Sequence, residues 1–200
     1  MVLVRHGETT ANLNLTLQGQ TDGQLTKVGI RQAELLAQHS KIFQANHIFS
    51  SDLTRAQHTA KIIAERLTLP VQLSKILREW NIGELDGHPA QSLEAAISAS
   101  KDSIADFTPP GGESLNDLRG RAENFLNSVR QKHQGQVLIV CSHGDFIRML
   151  LSVVLIQEIK QAIKQPLDNT SYTIVEHLES KTWQIKEINK TPHLITLSRK

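Results

Sequence analysis

Short, unbroken apolar runs alternate along the chain with longer stretches of helical period. Val2-Leu3-Val4, Ile48-Phe49 and Val137-Leu138-Ile139-Val140-Cys141 are β-branched-rich and too short for helices. Runs of this kind suit strands buried on both faces of a parallel sheet. Between them, Leu53, Ala56, Ala60, Ile63, Ala64 and Leu67 share one helical face, as do Leu115, Leu118, Ala122, Phe125, Leu126 and Val129. A further helix is predicted over residues 26–39, and another after Gly144. Residues 172–177 and 183–188 instead alternate apolar with polar around the polar segment 179–182, the pattern of a hairpin at a sheet edge. Strands alternating with helices predict an α/β fold: a three-layer sandwich, a mostly parallel central sheet with helices on both faces and a C-terminal edge hairpin. Residues 83–112 lack a clean period and contain Pro89, Pro109, Pro110, Gly111 and Gly112. They are read as an insertion over one end of the sheet, part of a substrate lid. The tail after Leu194 is expected to be loosely held.

Composition narrows the class without changing this picture. A chain of 200 residues suits one domain, 1–200, because single cores stop growing only beyond about 250 residues. Hydrophobic residues at 39% and charged residues at 21% support a sizeable core, which excludes a disordered tail or a fibre. The net charge of +2 is scattered along the chain, too little for a nucleic-acid or membrane-surface binder. The longest apolar stretches, 137–141 and 149–156, fall far short of the roughly 20 residues that cross a bilayer. A single cysteine, Cys141, and no secretory pattern ahead of Arg5-His6 predict a reducing, cytoplasmic setting. Composition leaves a homodimer open.

Ligands of open α/β sheets bind outside the carboxyl ends of the strands, so the residues that follow each apolar run carry the candidate chemistry. Those residues are Arg5-His6-Gly7-Glu8, Ser50-Ser51-Asp52-Leu53-Thr54-Arg55 and Ser142-His143-Gly144-Asp145. Any one of them has a bland reading: a strand-end histidine is often structural, and Ser50, Ser51 or Asp52 can simply cap a helix. Together they bring two guanidiniums and two imidazoles to one edge, a field that suits a phosphoryl dianion. The same field repels a divalent metal, and no familiar ligand spacing such as His-Glu-x-x-His is present. The glycine after each histidine is expected to let substrate approach the backbone closely.

These residues resemble the histidine phosphatase superfamily, the phosphoglycerate mutase-like proteins. The likeness rests on Arg5-His6-Gly7-Glu8-Thr9 with Asn12, then Gln18-Gly19, Asp22, Leu25-Thr26, Gly29 and Gln32-Ala33. It continues through Ser50-Ser51-Asp52-Leu53-x-Arg55-Ala56-x-x-Thr59-Ala60, Leu77-Arg78-Glu79, Gly83, Gly87 and Gly112-Glu113-Ser114. Ser142-His143-Gly144, Asn169-Thr170-Ser171 and Asn189-x-Thr191-x-His193-Leu194 complete it, so nearly the whole chain is covered in family order. The resemblance implies that His6 is a nucleophile that becomes phosphorylated, and that Arg5, Arg55 and His143 hold the phosphoryl oxygens. Asn12 then adds a polar contact, and Glu79 is the proton donor. It also marks Gln18, Gly19, Ser142 and Gly144 as substrate-contacting positions. No cofactor and no metal are implied, and the implied partner is a small phosphorylated substrate. Neutral imidazole is a competent nucleophile near pH 7, and flanking cations stabilise a transferring phosphoryl group. The acid requires a carboxyl with a raised pKa.

Other chemistries fit less well. Cys141 and Arg148 are separated by six residues, where the cysteine-dependent phosphatase signature has five, so Cys141 is expected to be a buried strand-end residue. No Gly-x-x-x-x-Gly-Lys occurs. Asp86 is read as part of a turn, and Trp80 and Trp183 as packing residues. Histidines 39, 47, 58, 88, 133, 177 and 193 are assigned to surface or packing, though His193 lies in the C-terminal motif. Within the superfamily the glutamate of mutases is typically followed by His-Tyr-Gly, whereas here Glu79 precedes Trp80-Asn81-Ile82-Gly83. That difference favours a metal-independent phosphomonoesterase over a phosphoglycerate mutase. A non-catalytic phosphate-binding module would have no use for a nucleophile and an acid. The specificity loops, roughly 80–113, carry no legible substrate code.

Overall fold

The computed structural model describes residues 1–178 and 182–195. Six strands form one sheet: β1 (Val2–Arg5), β2 (His47–Ser50), β3 (Val71–Leu73), β4 (Leu138–Ser142), β5 (Tyr172–His177) and β6 (Trp183–Lys190). Their order is β3-β2-β4-β1-β5-β6. The first four are mutually parallel, and β5 and β6 are antiparallel additions beside β1. β5 pairs on both sides, so β6 alone makes the edge of the predicted hairpin. The turn of that hairpin, 179–181, and the tail beyond residue 195, expected to be loosely held, lie outside the described residues.

The period-2 alternation of the buried strands divides the core into two layers. Leu3, Leu138 and Val140 join Leu118, Phe125, Phe146 and Leu150 from α5 (Leu115–Lys132) and α6 (Gly144–Val154) on one face. Val2, Val4, Ile139 and Cys141 point the other way, onto Leu36, Ala60 and Ile63 from α2 (Lys27–His39) and α3 (Thr54–Leu67). The expected sandwich is therefore observed, with the predicted helices in place and Cys141 fully buried. No helix among the described residues is long and apolar enough to cross a membrane.

Two short helices, α1 (Thr10–Leu13) and α7 (Ile159–Ala162), complete the set together with α4 (Gln91–Ser100), which stands in the stretch read as aperiodic. None of the residues of α4 is fully buried; its inward stripe is short and half-buried, with Leu93 against the core and Ser92, Ala96 and Ile97 on the same face, too weak a pattern to stand out in the sequence. The edge strand β3 also escapes the pattern: it spans three residues, and Gln72 and Leu73 are exposed.

Local signals explain where the helices start. Thr26 caps α2 by accepting from the Gly29 N–H, and Ser114 with Asp117 forms a reciprocal capping box on α5. The start of α3 is capped from afar, because the Asp22 carboxylate accepts from both the N–H and the hydroxyl of Thr54, each at 2.9 Å. Asp52 is thereby free of the capping role and pairs with Arg78 through two bonds of 2.6 and 2.7 Å.

Candidate active site

The carboxyl ends of β1 and β4 set His6 and His143 opposite one another, with ring centroids 5.2 Å apart and planes inclined at 59°. Both rings are buried. His6 Nδ1 lies 2.8 Å from the Gly7 carbonyl. A carbonyl can only accept, so Nδ1 carries the proton and Nε2 keeps the lone pair. Burial, together with the Arg55 and Arg5 cations, holds the His6 pKa well below the ordinary histidine range. The ring is therefore neutral and nucleophilic at pH 7. Thr59 steadies this segment: its hydroxyl accepts from the Gly7 N–H at 3.1 Å and donates to the Arg55 carbonyl at 2.8 Å.

The glycine after His6 serves a different neighbour from the one expected. A Cβ on Gly7 would stand 2.5 Å from the Gly29 carbonyl oxygen, so the backbone approaching here is the start of α2. Gly144 does face the site. A Cβ there would stand 3.1 Å from Arg148 Nη1, 3.7 Å from Arg5 Nε and 3.8 Å from Glu79 Oε2.

Four polar atoms collect around these rings without a protein partner: Arg5 Nε, Arg55 Nε and both nitrogens of His143. All four are buried, a condition that native structures rarely leave unanswered; the two guanidinium Nε–H groups and the one N–H of neutral His143 make a donor set shaped for an anion. Three of the other guanidinium nitrogens have carbonyl partners. Arg5 Nη1 donates to the Leu167 carbonyl at 2.6 Å. Arg55 Nη1 and Nη2 donate to the carbonyls of Thr21 and Gly19 at 2.9 and 2.7 Å. Burial lowers the Arg55 pKa to about 10, still cationic at neutral pH.

Glu79 approaches from a different segment, between β3 and α4, and is buried. His143 occupies the N-cap of α6 but makes no side-chain cap bond. Glu79 supplies the missing acceptor: its Oε1 receives the N–H groups of Asp145 and Phe146, both at 3.1 Å, and its own neighbour Trp80 at 2.9 Å. Oε2 is left nearer the site, by Gly144 and Arg5. Burial, and after it the Asp145 carboxylate, raise the Glu79 pKa against the pull of these N–H donors and Arg55.

The other expected substrate-contacting positions divide. Asn12 lies beside His6, linked through Asn169, whose amide nitrogen donates to the His6 carbonyl and to Asn12 Oδ1, each at 3.1 Å. Gln18, Gly19 and Ser142 have bonds within the protein frame. Gln18 Oε1 accepts from the Thr9 hydroxyl at 2.9 Å, Gly19 is held between Arg55 and the Asp86 carboxylate, and the Ser142 hydroxyl donates to the Leu77 carbonyl at 2.7 Å. Asp86, read as a turn residue, anchors the 19–21 loop by accepting from the N–H groups of Gly19 and Thr21 at 3.0 and 2.9 Å.

Sequence reasoning missed Arg121. Its guanidinium donates to the carbonyls of Ile76, Arg78 and Glu79 at 2.8, 2.8 and 3.0 Å and pairs with the Glu113 carboxylate. Glu113 in turn accepts from the Asn81 N–H at 2.9 Å, and its carbonyl from Trp80 Nε1 at 2.6 Å. The signal was present: Arg121 falls between Leu118 and Phe125 on the buried stripe of α5, where a charge has to be satisfied by the interior. Cys141 takes no part, since burial pushes its thiol to about 12.

Comparison with known proteins agrees with this geometry. The family model described as histidine phosphatase superfamily (branch 1) matches residues 1–191. A relative from Yersinia pestis (strain Pestoides F), described as a probable phosphoglycerate mutase GpmB, is 37% identical over 96% of this chain and 93% of its own. Among solved structures, a phosphoserine phosphatase from Entamoeba histolytica in complex with 3-phosphoglyceric acid superposes with a TM-score of 0.87 at 29% identity, covering 97% of this chain and 98% of that one. A mycobacterial glucosyl-3-phosphoglycerate phosphatase complexed with VO3 gives 0.84 at 27% identity, over 94% and 98% of the two chains.

Proposed function

Because the chain belongs to the histidine phosphatase superfamily, we propose that it is a metal-independent phosphomonoesterase that hydrolyses small phosphorylated metabolites in the cytoplasm through a phosphohistidine at His6. The observation that carries this reading is the set of buried, unpartnered donors on Arg5, Arg55 and His143 around a neutral His6 whose lone pair is confined to Nε2. An anion with several oxygens answers those donors.

In the first step Nε2 of His6 attacks phosphorus and the phosphorus–oxygen ester bond breaks. The proton on Glu79 passes to the departing alkoxide oxygen, while Arg5, Arg55 and His143 hold the spread negative charge. In the second step the Glu79 carboxylate takes a proton from water. The water oxygen bonds to phosphorus, the phosphorus–nitrogen bond breaks, and His6 recovers its lone pair as phosphate leaves. Glu79 is again protonated, ready for the next ester. The raised proton affinity of a buried Glu79 suits both halves of this cycle.

The name of the Yersinia relative favours one second reading, a phosphoglycerate mutase. Against it stands Trp80 after the acid, whose indole N–H is already taken by the Glu113 carbonyl. Product analysis separates the two. Given 3-phosphoglycerate with a bisphosphoglycerate primer, a phosphatase releases inorganic phosphate, and it also does so from several unrelated esters. Isomer exchange that outruns phosphate release would overturn the hydrolytic reading.

A further inference from the structure

The acid is held by the amino end of α6, and that end carries a charge pair, Asp145 and Arg148, bonded to each other at 2.8 Å. We propose that Asp145 and Arg148 are positioning residues that set the pH range over which Glu79 keeps its proton, Asp145 retaining it and Arg148 limiting that retention. The inference rests on the reading of Glu79 as the general acid.

The geometry places the pair against the carboxyl group. The Asp145 N–H reaches both Glu79 oxygens, at 3.1 and 3.3 Å, so residue 145 cannot move without moving its contact with the acid. Arg148 Nη1 bonds Asp145 Oδ1 at 2.8 Å, and its Nε donates to the Gln165 carbonyl at 2.9 Å, which fixes the guanidinium from a second side. Arg148 Nη1, Arg5 Nε and Glu79 Oε2 all stand within 4 Å of one point above Gly144. A bulkier residue at 144 would have to displace one of them.

The charged groups facing Glu79 act in opposite senses. Arg5 from β1 and Arg55 from α3 favour its ionised form, and Arg121 from α5 touches only its backbone carbonyl. His143 is neutral, kept so chiefly by burial. Asp145 is the anion whose field opposes ionisation, and Arg148 is bound directly to it. Removing Asp145's charge relaxes the hold on the proton, whereas removing Arg148's charge exposes Asp145's field in full.

The test is the pH dependence of kcat/KM for β-glycerophosphate in the parent, Asp145→Asn, Arg148→Met, Arg148→Lys and Glu79→Gln. Ionisation of the substrate is common to all five and cancels in the comparison. The alkaline limb is expected to move down by about half a pH unit or more in Asp145→Asn and up in Arg148→Met, with Arg148→Lys close to the parent. A merely structural role cannot produce shifts of opposite sign. Limbs that stay in place, or that move the same way in both variants, overturn the inference, and the two variants test it independently should either fold poorly. If Glu79→Gln retains the parent limb, the acid assignment itself fails. If it loses the limb while the pair leaves it unmoved, only the role of Asp145 and Arg148 fails.

Discussion

His6 and His143 face each other across 5.2 Å, yet His6 is bonded to the protein through Nδ1 while His143 is bonded through neither nitrogen. Two imidazoles in one pocket are therefore not equivalent: one has a fixed tautomer and a directed lone pair, and the other has its hydrogen-bonding capacity unspent. This asymmetry supports the proposed roles, His6 as nucleophile and His143 as the oxygen-holding partner. Enzyme quenched during turnover should carry an acid-labile, alkali-stable phosphate on His6. His143→Ala should slow its formation by about 10²-fold or more, the scale of losing one preorganised donor, without moving the label. Peptide mapping decides the matter, and undiminished activity in His6→Ala would falsify the assignment.

Glu79 is expected to matter in proportion to the need of the leaving group for a proton. Alkoxides depart poorly without one, whereas p-nitrophenolate leaves readily. Glu79→Gln should slow phosphoryl transfer from an alkyl phosphate by about 10² or more and affect transfer from p-nitrophenyl phosphate much less. Single-turnover measurement is needed, because the proposed cycle also uses Glu79 in dephosphorylation. Equal losses in the transfer step would mean that the carboxyl only shapes the pocket. Glu113 is unsuited to replace it, being locked to Arg121, and Glu8 is engaged by the Thr26 hydroxyl at 2.6 Å.

The strand ends were legible because chemistry and hydrophobic pattern coincide there: Arg5-His6 and His143 follow short, unbroken apolar runs. What the pattern could not show is which bonds those side chains already spend. Gln18 and Gly19 sit in a recognisable motif, yet their bonds hold a loop, a fact decided by Thr9, Arg55 and Asp86 from distant parts of the sequence. Glu79 as the cap of α6 was hidden for the same reason, since a cap is normally sought within a few residues of the helix it serves. α4 and β3 were missed because little of either is buried, and burial is what imprints a period.

Acid stability should report the buried histidines. His6 and His143 titrate well below the usual range, and His193, bonded through Nε2 to the Thr170 hydroxyl at 3.1 Å, is lowered from 6.5 to about 4, chiefly by burial. A depressed folded pKa means that the unfolded chain takes up the proton first. The contribution is therefore complete above about 6.5 and is lost as pH falls toward the folded value. Glu79 has the opposite sign: its raised folded pKa favours the folded state at low pH, and that benefit disappears as pH rises above 4.5. Tm should fall from pH 7 to pH 4 in the parent, and less steeply in His193→Gln, whose amide can keep the Thr170 bond without titrating. Parallel Tm curves for the two proteins would remove His193 from this account.

α4 hangs between two moorings. On one side, main-chain bonds join residues 15–17 to 87–90, including Leu17 N–H to the His88 carbonyl at 2.8 Å and Ala90 N–H to the Leu15 carbonyl at 3.0 Å. On the other, Asn116 of α5 binds the Ala105 carbonyl and the Asp106 carboxylate at 3.1 and 2.8 Å. Both moorings lie outside the helix, which itself has no fully buried residue and meets the core through the half-buried Leu93. Descendants of this gene can rewrite the exposed side of α4 while inheriting Glu79 and its supports intact, which makes that side a place where lineages diverge before their chemistry does.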